Sequence, residues 1–492
     1  MEHLFAQLKK HSASEMYPYH MPGHKRHCFG ELSQDSYQCD ITEIEGFDNL
    51  HDATGILKVL QDQAAAMYGA DESFYLVNGS TAGVLSAISS AVSEGGHILM
   101  SRNCHKSSYH AAYLRRLRVS YLYPSYIEGL PILDAITPKQ VEEALEQLED
   151  VEAVMIVSPT YEGRIADVEA ISKIVHAKGI PLIVDEAHGS HLGFADGFSR
   201  NSCQCGADLV IHSVHKTLPA LTQTALLHVC GALIDRDKLR RFLRIYQSSS
   251  PSYLLMGSID NALHYVEKNR VHLFAEFRKN CHEMMEKLQD CKHLKFPIMD
   301  GGRQDIGKLV ISVEGTNITG KQLYDLLRGK YHLELEMAAQ QYCLAMFTVN
   351  DGKEAYERMT SALIEIDKEL EYLKIDAEVG AEKADMERNI LESEEVCKIF
   401  LSGDVKGKSF YEAWDSPRQE VLLMDAVGMR SAEFVNLYPP GIPILVPGER
   451  LTRKVCTQIK TAFECGLTVQ GVSFVASSGS KPELYISVID AE

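Results

Sequence analysis

The chain has 492 residues, a formal net charge of −19 at pH 7, 45% hydrophobic and 24% charged residues. That length exceeds one ordinary domain and implies two to four, with the composition of a soluble globular protein. The acidic balance argues against general nucleic-acid binding. No run of eighteen apolar residues offers a membrane span, and the first ten residues lack the apolar centre of a signal peptide. Twelve cysteines show no tight framework, Cys203 and Cys205 being the closest pair. They read as reduced thiols in a cytoplasm.

In chain order, residues 1–16 have the spacing of a short amphipathic helix. Tyr17-Pro18-Tyr19-His20-Met21-Pro22-Gly23-His24-Lys25-Arg26 fits no helix or strand period and reads as a loop. Residues 40–52 set five carboxylates among apolar positions, including Glu43, Glu45 and Asp48. They form either a solvated face or a wall that receives a cation. From residue 56 the pattern becomes regular. A helix at 56–68 precedes a strand at 74–77, the turn Asn78-Gly79-Ser80-Thr81-Ala82-Gly83, and a small-residue helix to about 93. Such a turn offers free N–H groups and the positive end of a helix dipole, a seat for phosphate. Simple N-capping by Ser80 or Thr81 is the competing reading.

Strands at 97–101, 119–123, 153–157 and 181–184 alternate with helices at 105–117, 138–148 and 168–178, and an apolar run at 208–212 follows. This alternation predicts a mainly parallel sheet covered on both faces, with any ligand beyond the carboxyl ends of the strands. Polar groups fall at five such ends: 78–81, 103–107, 158–163, 185–189 and 213–216. After Gly231 the alternation loosens. A Ser-rich loop at 247–252, a helical stretch at about 257–290, strands at 308–313, 333–336 and 343–347, and helices at 319–328 and 353–373 outline a smaller α/β domain. The acidic stretch 376–384 is a boundary before a C-terminal part that mixes short helices with a proline-rich turn. The expected division is an N-terminal segment 1–50, a large domain 51–255, a small domain 256–375 and a C-terminal domain 385–492.

One lysine is out of place. Asp208-Leu209-Val210-Ile211 reads as a buried strand, and it runs into His212-Ser213-Val214-His215-Lys216-Thr217-Leu218-Pro219. Lysine is rarely buried without compensation. Desolvation lowers its pKa, and the neutral amine attacks carbonyls. The ordinary alternative is a lysine that snorkels to the surface. Thirty-one residues upstream, Asp185 ends another apolar strand. Asp185-Glu186-Ala187-His188 has the spelling of a helicase box, but no Walker loop precedes it. His188 and His191 would make two ligands of a metal site with no third in view, so no metal is expected. Pyridoxal phosphate uses every part. Asp185 would hold the proton of its ring nitrogen, and Lys216 would take its aldehyde. Gly79, Ser80, Thr81, Ser213 and His215 would hold its phosphate. His105 would stack on one face of the ring, with Ala187 against the other.

These residues reach a known family. Met21-Pro22-Gly23-His24-Lys25, Asp185-x-Ala187-His188-Gly189, Ser213-x-His215-Lys216-Thr217-Leu218-Pro219 and Tyr438-Pro439-Pro440-Gly441-Ile442-Pro443, in that order, resemble the ornithine/lysine/arginine decarboxylases. The resemblance covers nearly the whole chain. It implies a fold-type I, aspartate aminotransferase-like large domain with a mainly parallel sheet, a smaller α/β domain and a C-terminal α+β domain. It implies Lys216 as the lysine that carries the cofactor, Asp185 at the ring nitrogen, His105 as the stacking residue, and Lys216 or His188 as the acid that protonates Cα. It places the active site at a homodimer interface, with Ser250 reaching the phosphate of a partner subunit's cofactor. The activity implied is decarboxylation of arginine, lysine or ornithine to agmatine, cadaverine or putrescine, feeding polyamine synthesis. Glu43, Glu45 or Asp48 would meet the distal cation. The large inducible members carry an N-terminal response-regulator-type domain, so the expectation here is the shorter bacterial form. Some members have Trp where His188 stands. An aminotransferase or lyase of the same fold, or a catalytically silent regulatory binder, remains the alternative.

Overall fold

Seven short apolar segments pair into one sheet: β1 Glu72–Leu76, β2 His97–Ser101, β3 Arg118–Leu122, β4 Val151–Val157, β5 Leu182–Asp185, β6 Leu209–His212 and β7 Ala225–Val229. The computed structural model describes residues 3–14, 18, 21–22, 24–27, 34–127, 130–297, 303–372, 409–437, 441–475 and 482–490. Gly23 of the Pro-Gly-His-Lys loop, Tyr438-Pro439-Pro440 and the acidic stretch 376–384 lie outside those residues. The strand order is β1-β7-β6-β5-β4-β2-β3. The pairs β2–β3, β2–β4, β4–β5 and β5–β6 are parallel. β7 runs antiparallel to both of its neighbours, β6 and β1.

The sheet follows from the sequence pattern. Successive strand residues point to opposite faces. Ala153, Met155 and Ile183 therefore join one apolar cluster, while Val154, Ile156, Leu182 and Val184 join the other. With both faces covered, the strands carry unbroken apolar runs. Helices Lys106–Leu114, Pro138–Gln147 and Val168–Ala177 supply the crossovers that parallel neighbours need. Between β6 and β7 there is only the one-turn helix Val214–Thr217. That is too short for a crossover, so β7 returns antiparallel. The periodicity of the sequence does not single this strand out, because only one helical turn separates it from the preceding one.

A second sheet, β8 Lys308–Ser312, β9 Met337–Ala338 and β10 Tyr342–Met346, is antiparallel in the order β8-β10-β9. The strand expected at 333–336 begins later. Leu333 N–H bonds back to the Leu327 carbonyl at the end of helix Gly320–Lys330, and the paired residues start at Met337. Leu309, Ile311, Leu323 and Cys343 share one cluster with Val184 and Val210, so the two sheets are welded by a common core. The helix Tyr253–Leu288, 36 residues long, runs through it. Its Asp260 accepts the Leu4 N–H at 2.9 Å, which docks the N-terminal helix Leu4–Ser12.

Beyond residue 409, the strands β11 Arg418–Leu422, β12 Val435–Leu437, β13 Ile442–Leu445, β14 Val469–Gln470, β15 Val472–Val475 and β16 Glu483–Ile489 form two three-stranded sheets. With helix Arg453–Glu464 they enclose their own core. Arg102, just past β2, reaches across to them. Its guanidinium meets Glu449 at 2.8 Å and donates to the Pro443 carbonyl at 2.7 Å. Such a planar fork is suited to holding a carboxylate in a buried setting.

Asp48 is spent inside the fold. Helix Ile56–Tyr68 starts after Gly55, which has no side chain to cap it. The Asp48 carboxylate does so instead, accepting the N–H groups of Thr54 at 3.0 Å, Gly55 at 2.7 Å and Leu57 at 3.0 Å. Asp48→Ala is expected to cost about 1–2 kcal/mol by loss of the cap. Asp48→Asn, which keeps an acceptor and tolerates the positive φ of 66°, should cost less than half of that. Thermal or urea unfolding of the two variants checks the ranking.

Candidate active site

β5 and β6 run side by side in register, Asp185 opposite Ile211. Asp185 is the last residue of β5, and the chain leaving β6 turns at Ser213 into the single helical turn that carries Lys216. Both therefore project from the carboxyl edge of the sheet. Burial lowers the pKa of the Lys216 amine, opposed by Asp185 and then Glu336. Burial raises that of the Asp185 carboxyl, opposed by Lys216 and by the Ala187 N–H, which donates at 3.2 Å. Asp185 is 6% exposed and has no salt bridge among the described residues.

His188 stands between two amines. Its Nε2 lies 3.1 Å from Lys216 Nζ, and its Nδ1 lies 2.8 Å from Lys308 Nζ. Burial, then Lys308, then Lys216 depress its pKa well below the ordinary value, so the imidazole is neutral. The Tyr161 ring meets it edge-on, with centroids 4.9 Å apart. The Tyr161 hydroxyl bonds to Glu336, an exposed carboxylate. His191 does not share the site of His188. It is buried against Asp305 at 3.1 Å, so the two histidines of the suspected metal pair have separate partners.

The remaining expected residues ring the same edge. His105 precedes helix Lys106–Leu114, and its Nδ1 accepts from Ser107 Oγ at 2.9 Å. It caps a helix, and it also faces the site, where burial and then Lys216 lower its pKa to about 4. Gly79, Ser80 and Thr81 form the first turn of helix Gly79–Ala91. Neither hydroxyl caps this helix. The N-cap is Asn78, whose side chain makes no capping bond and instead accepts the Ser248 N–H at 3.3 Å. The first-turn N–H groups are thus left for another acceptor. His215 Nδ1 bonds to the Thr224 carbonyl at 2.8 Å. Ser250 is exposed and bonded within its own turn to Ser248, beside Asn78 of the same chain. Ala187 is buried two residues past Asp185.

A pyridoxal phosphate group fits this donor set. Ser213 Oγ and Thr217 Oγ1 are buried with no partner among the described residues. Unmade bonds of buried hydroxyls are costly unless a ligand completes them. An uncapped helix start, two orphan hydroxyls, a buried carboxylate without a cation bound to it and a buried amine are the partners that a phosphate, a ring nitrogen and an aldehyde require.

Beneath the site runs a separate buried chain. Glu186 contacts His212 Nε2 at 2.7 Å, His212 Nδ1 lies 3.0 Å from His228 Nε2, and His228 Nδ1 lies 2.6 Å from Ser73 Oγ. Burial raises Glu186 to about 8 and lowers His212 to about 3. One consistent arrangement is neutral throughout: the Glu186 acid donates to His212, His212 to His228, and His228 to the Ser73 oxygen. Glu186 is thus a structural member of the Asp-Glu-Ala-His run.

Sequence reasoning missed Lys308 and gave Tyr161 and Glu336 no role. The signal for Lys308 was present. It opens the apolar strand Lys308–Ser312 after a glycine and is 6% exposed, the same anomaly that drew attention to Lys216. Glu336 carries no such signal, since it comes from the loop before β9.

Comparisons with known proteins show the family and the fold. The family described as Orn/Lys/Arg decarboxylase, major domain, matches residues 2–346, and its C-terminal domain matches residues 406–474. The chain is 30% identical to an arginine decarboxylase of Bacillus anthracis, over 95% of this chain and 94% of the relative. It is also 30% identical to an arginine decarboxylase of Bacillus subtilis (strain 168), over 95% of each. Among solved structures, lysine decarboxylase A from Pseudomonas aeruginosa superposes with a TM-score of 0.81 at 20% identity, covering 100% of this chain and 80% of that one. The likeness places the fold among the fold-type I enzymes.

The buried chain predicts a pH signature. Glu186, raised from 4.5 to about 8, contributes stability that falls as pH rises through that window. His212, lowered from 6.5 to about 3, contributes stability that grows as pH rises from about 3 to 6.5. The two slopes oppose each other up to about pH 6.5, and the Glu186 slope stands alone from there to about 8. Tm of the wild type, measured against Glu186→Gln across that upper window, should fall relative to the variant.

Proposed function

The chain belongs to the Orn/Lys/Arg decarboxylase family, and we propose that it is a pyridoxal phosphate-dependent decarboxylase of a basic L-amino acid, with arginine as its first substrate. The observation that carries this reading is the meeting of Lys216 with Asp185 on one side and His188 on the other, at the carboxyl edge of two parallel strands. Arginine is favoured because the full-length relatives at 30% identity are arginine decarboxylases. The reaction breaks one Cα–carboxylate bond, releases CO₂ and forms one C–H bond, consuming a proton. The product, agmatine, would feed polyamine synthesis. We further infer a homodimer in the cytoplasm, with Ser250 directed at a partner's phosphate site.

When bound, the cofactor supplies an electron-accepting ring that takes up the pair released as CO₂ leaves. The chain does the rest. Lys216 would hold the cofactor through its aldehyde, and burial shifts its pKa downward, toward the neutral form that attacks a carbonyl. Asp185 would keep a proton on the ring nitrogen. A cation set against that buried carboxylate offsets the desolvation that otherwise raises it. Gly79, Ser80, Thr81, Ser213 and His215 would bind the phosphate, and His105 and Ala187 would flank the ring. His188 Nε2 lies 3.1 Å from Lys216 Nζ, and His188 is the proton donor in this reading.

The distal cation needs an acidic partner other than Asp48, which is committed to its helix. Glu336 is exposed and acts electrostatically on Lys216, and we assign it that role. Glu336→Gln is expected to raise KM for arginine several-fold; an unchanged KM would remove it from recognition.

The decisive assay incubates the full chain and pyridoxal phosphate with arginine, lysine and ornithine separately, reading CO₂ and amine. Arginine should give the highest kcat/KM. Ornithine and lysine differ by one methylene, worth only about 1–3 kcal/mol in a pocket, so these two should be poorly discriminated from each other. Lys216→Ala should lose at least about a thousandfold in rate, equivalent to about 4 kcal/mol. Release of keto acid without CO₂ would make the protein an aminotransferase instead.

A further inference from the structure

We propose that Lys308 is a positioning residue of this site: donating to His188 Nδ1, it pins the imidazole as the Nε2–H tautomer and keeps that hydrogen aimed at Lys216 Nζ. The proposal rests on the decarboxylase reading and adds a residue from the second sheet to it.

The geometry leaves few choices. A neutral imidazole carries one ring hydrogen, and each of its nitrogens here faces an amine. Both contacts can be hydrogen bonds only if one amine donates and the other accepts. Three features make Lys308 the donor. Its contact is the shorter, 2.8 Å against 3.1 Å, as charge-assisted bonds are. Acidic groups gather round it, with Asp305, Glu336 and Glu162 all favouring its charged form. Lys216, in contrast, must present a lone pair to do its chemistry. One positive charge shared by the trio is also less costly in a buried place than two.

Lys308 is built into this position. It comes from β8, crosses to the first sheet and is 6% exposed. Its stem passes the turn at Gly163, where an added Cβ would lie 2.7 Å from Lys308 Cγ and φ is +94°. Its Nζ sits over the Tyr161 ring, 5.5 Å from the centroid. Asp305 is held in turn by His191 at 3.1 Å and by the Gly307 N–H at 2.9 Å. A surface lysine that happened to fold inward would need none of these arrangements.

Decarboxylation consumes one proton for each CO₂ released. A hydrogen held on His188 Nε2, beside the nitrogen that carries the reaction, is where this chain stores it. Burial brings Lys308 down to about 8, opposed mainly by Asp305 and Glu336, so its donor form is lost as pH rises past that value. The charged and titratable groups that face the trio are Asp305, Tyr161, Glu162, Glu336, Asp185, His105 and His215.

The test uses the full chain with Lys308→Met and Lys308→Arg. Loaded with pyridoxal phosphate, Lys308→Met should lose at least about tenfold in kcat for the preferred amino acid, with KM within about twofold. Wild-type kcat should fall as pH rises through about 8. Lys308→Arg, which donates but does not deprotonate, should recover most of kcat and abolish that fall. In the cofactor-free chain labelled with ¹⁵N-histidine, with His188 assigned by its loss in His188→Gln, the wild type and Lys308→Arg should show Nε2–H alone, and Lys308→Met a mixture. A Nδ1–H signal in the wild type, or a Lys308→Met enzyme within about twofold of wild-type kcat with the same pH profile, overturns the proposal. Should Lys308→Met not fold, the wild-type tautomer and the Lys308→Arg profile still decide. If no basic amino acid releases CO₂, the functional reading fails, while the tautomer is settled on its own.

Discussion

An amine taken out of water at the end of a β-strand has to be compensated, and much of the molecule is arranged round that need. Lys216 is lowered by burial, with Asp185 on the adjacent strand and His188 within hydrogen-bonding distance. Neither partner could be placed so reliably by a loop alone. Parallel neighbours in register put Asp185 and the turn after β6 on one edge, and apolar cover on both faces keeps water from dissolving the pairing. The electrostatics of the site is thus a property of strand order.

The structure handles its buried polarity in two ways. The Glu186–His212–His228–Ser73 chain is neutral in the arrangement described, each member satisfying the next, and it sits where no substrate need reach. The edge above it leaves Ser213 Oγ and Thr217 Oγ1 unpaired. Fully satisfied networks rigidify a core, whereas unsatisfied ones mark places where something else completes the bonding. The contrast within a few residues of one Asp-Glu-Ala-His run separates Glu186, which is bonded into the fold, from Asp185, which stands at the sheet edge with Lys216. Arg102 plays a comparable part farther out, where its buried fork binds the C-terminal sheets to the end of β2.

Much of this was legible in the sequence, for identifiable reasons. Strands β2 to β5 declare themselves because crossover helices separate them, β6 because it is an apolar run with β-branched residues, and Lys216 because a lysine ending a buried strand violates a strong expectation. β7 was not placed, since only a single helical turn separates it from β6 and its run Ala225–Val229 could belong to any buried element. The acidic segment 40–52 shows the limit of composition as a guide. Asp48 suggested a substrate wall, but the lack of a capping side chain at Gly55 decides its use, and that depends on a fold-back of the chain. Lys308 and Glu336 come from far along the sequence, and only the shared core of the two sheets brings them to Lys216.

That shared core gives unusual leverage to the turn at Gly163. An added methyl group at this residue would press on the stem of the lysine that comes from the second sheet. The smallest substitution in the genetic code would therefore act on both sheets at once. A side chain there would strain the turn itself, whose φ is +94°, as well as press on Lys308 at the edge that carries Lys216. Backbone conformation and the path of Lys308 are thus fixed together at this one glycine.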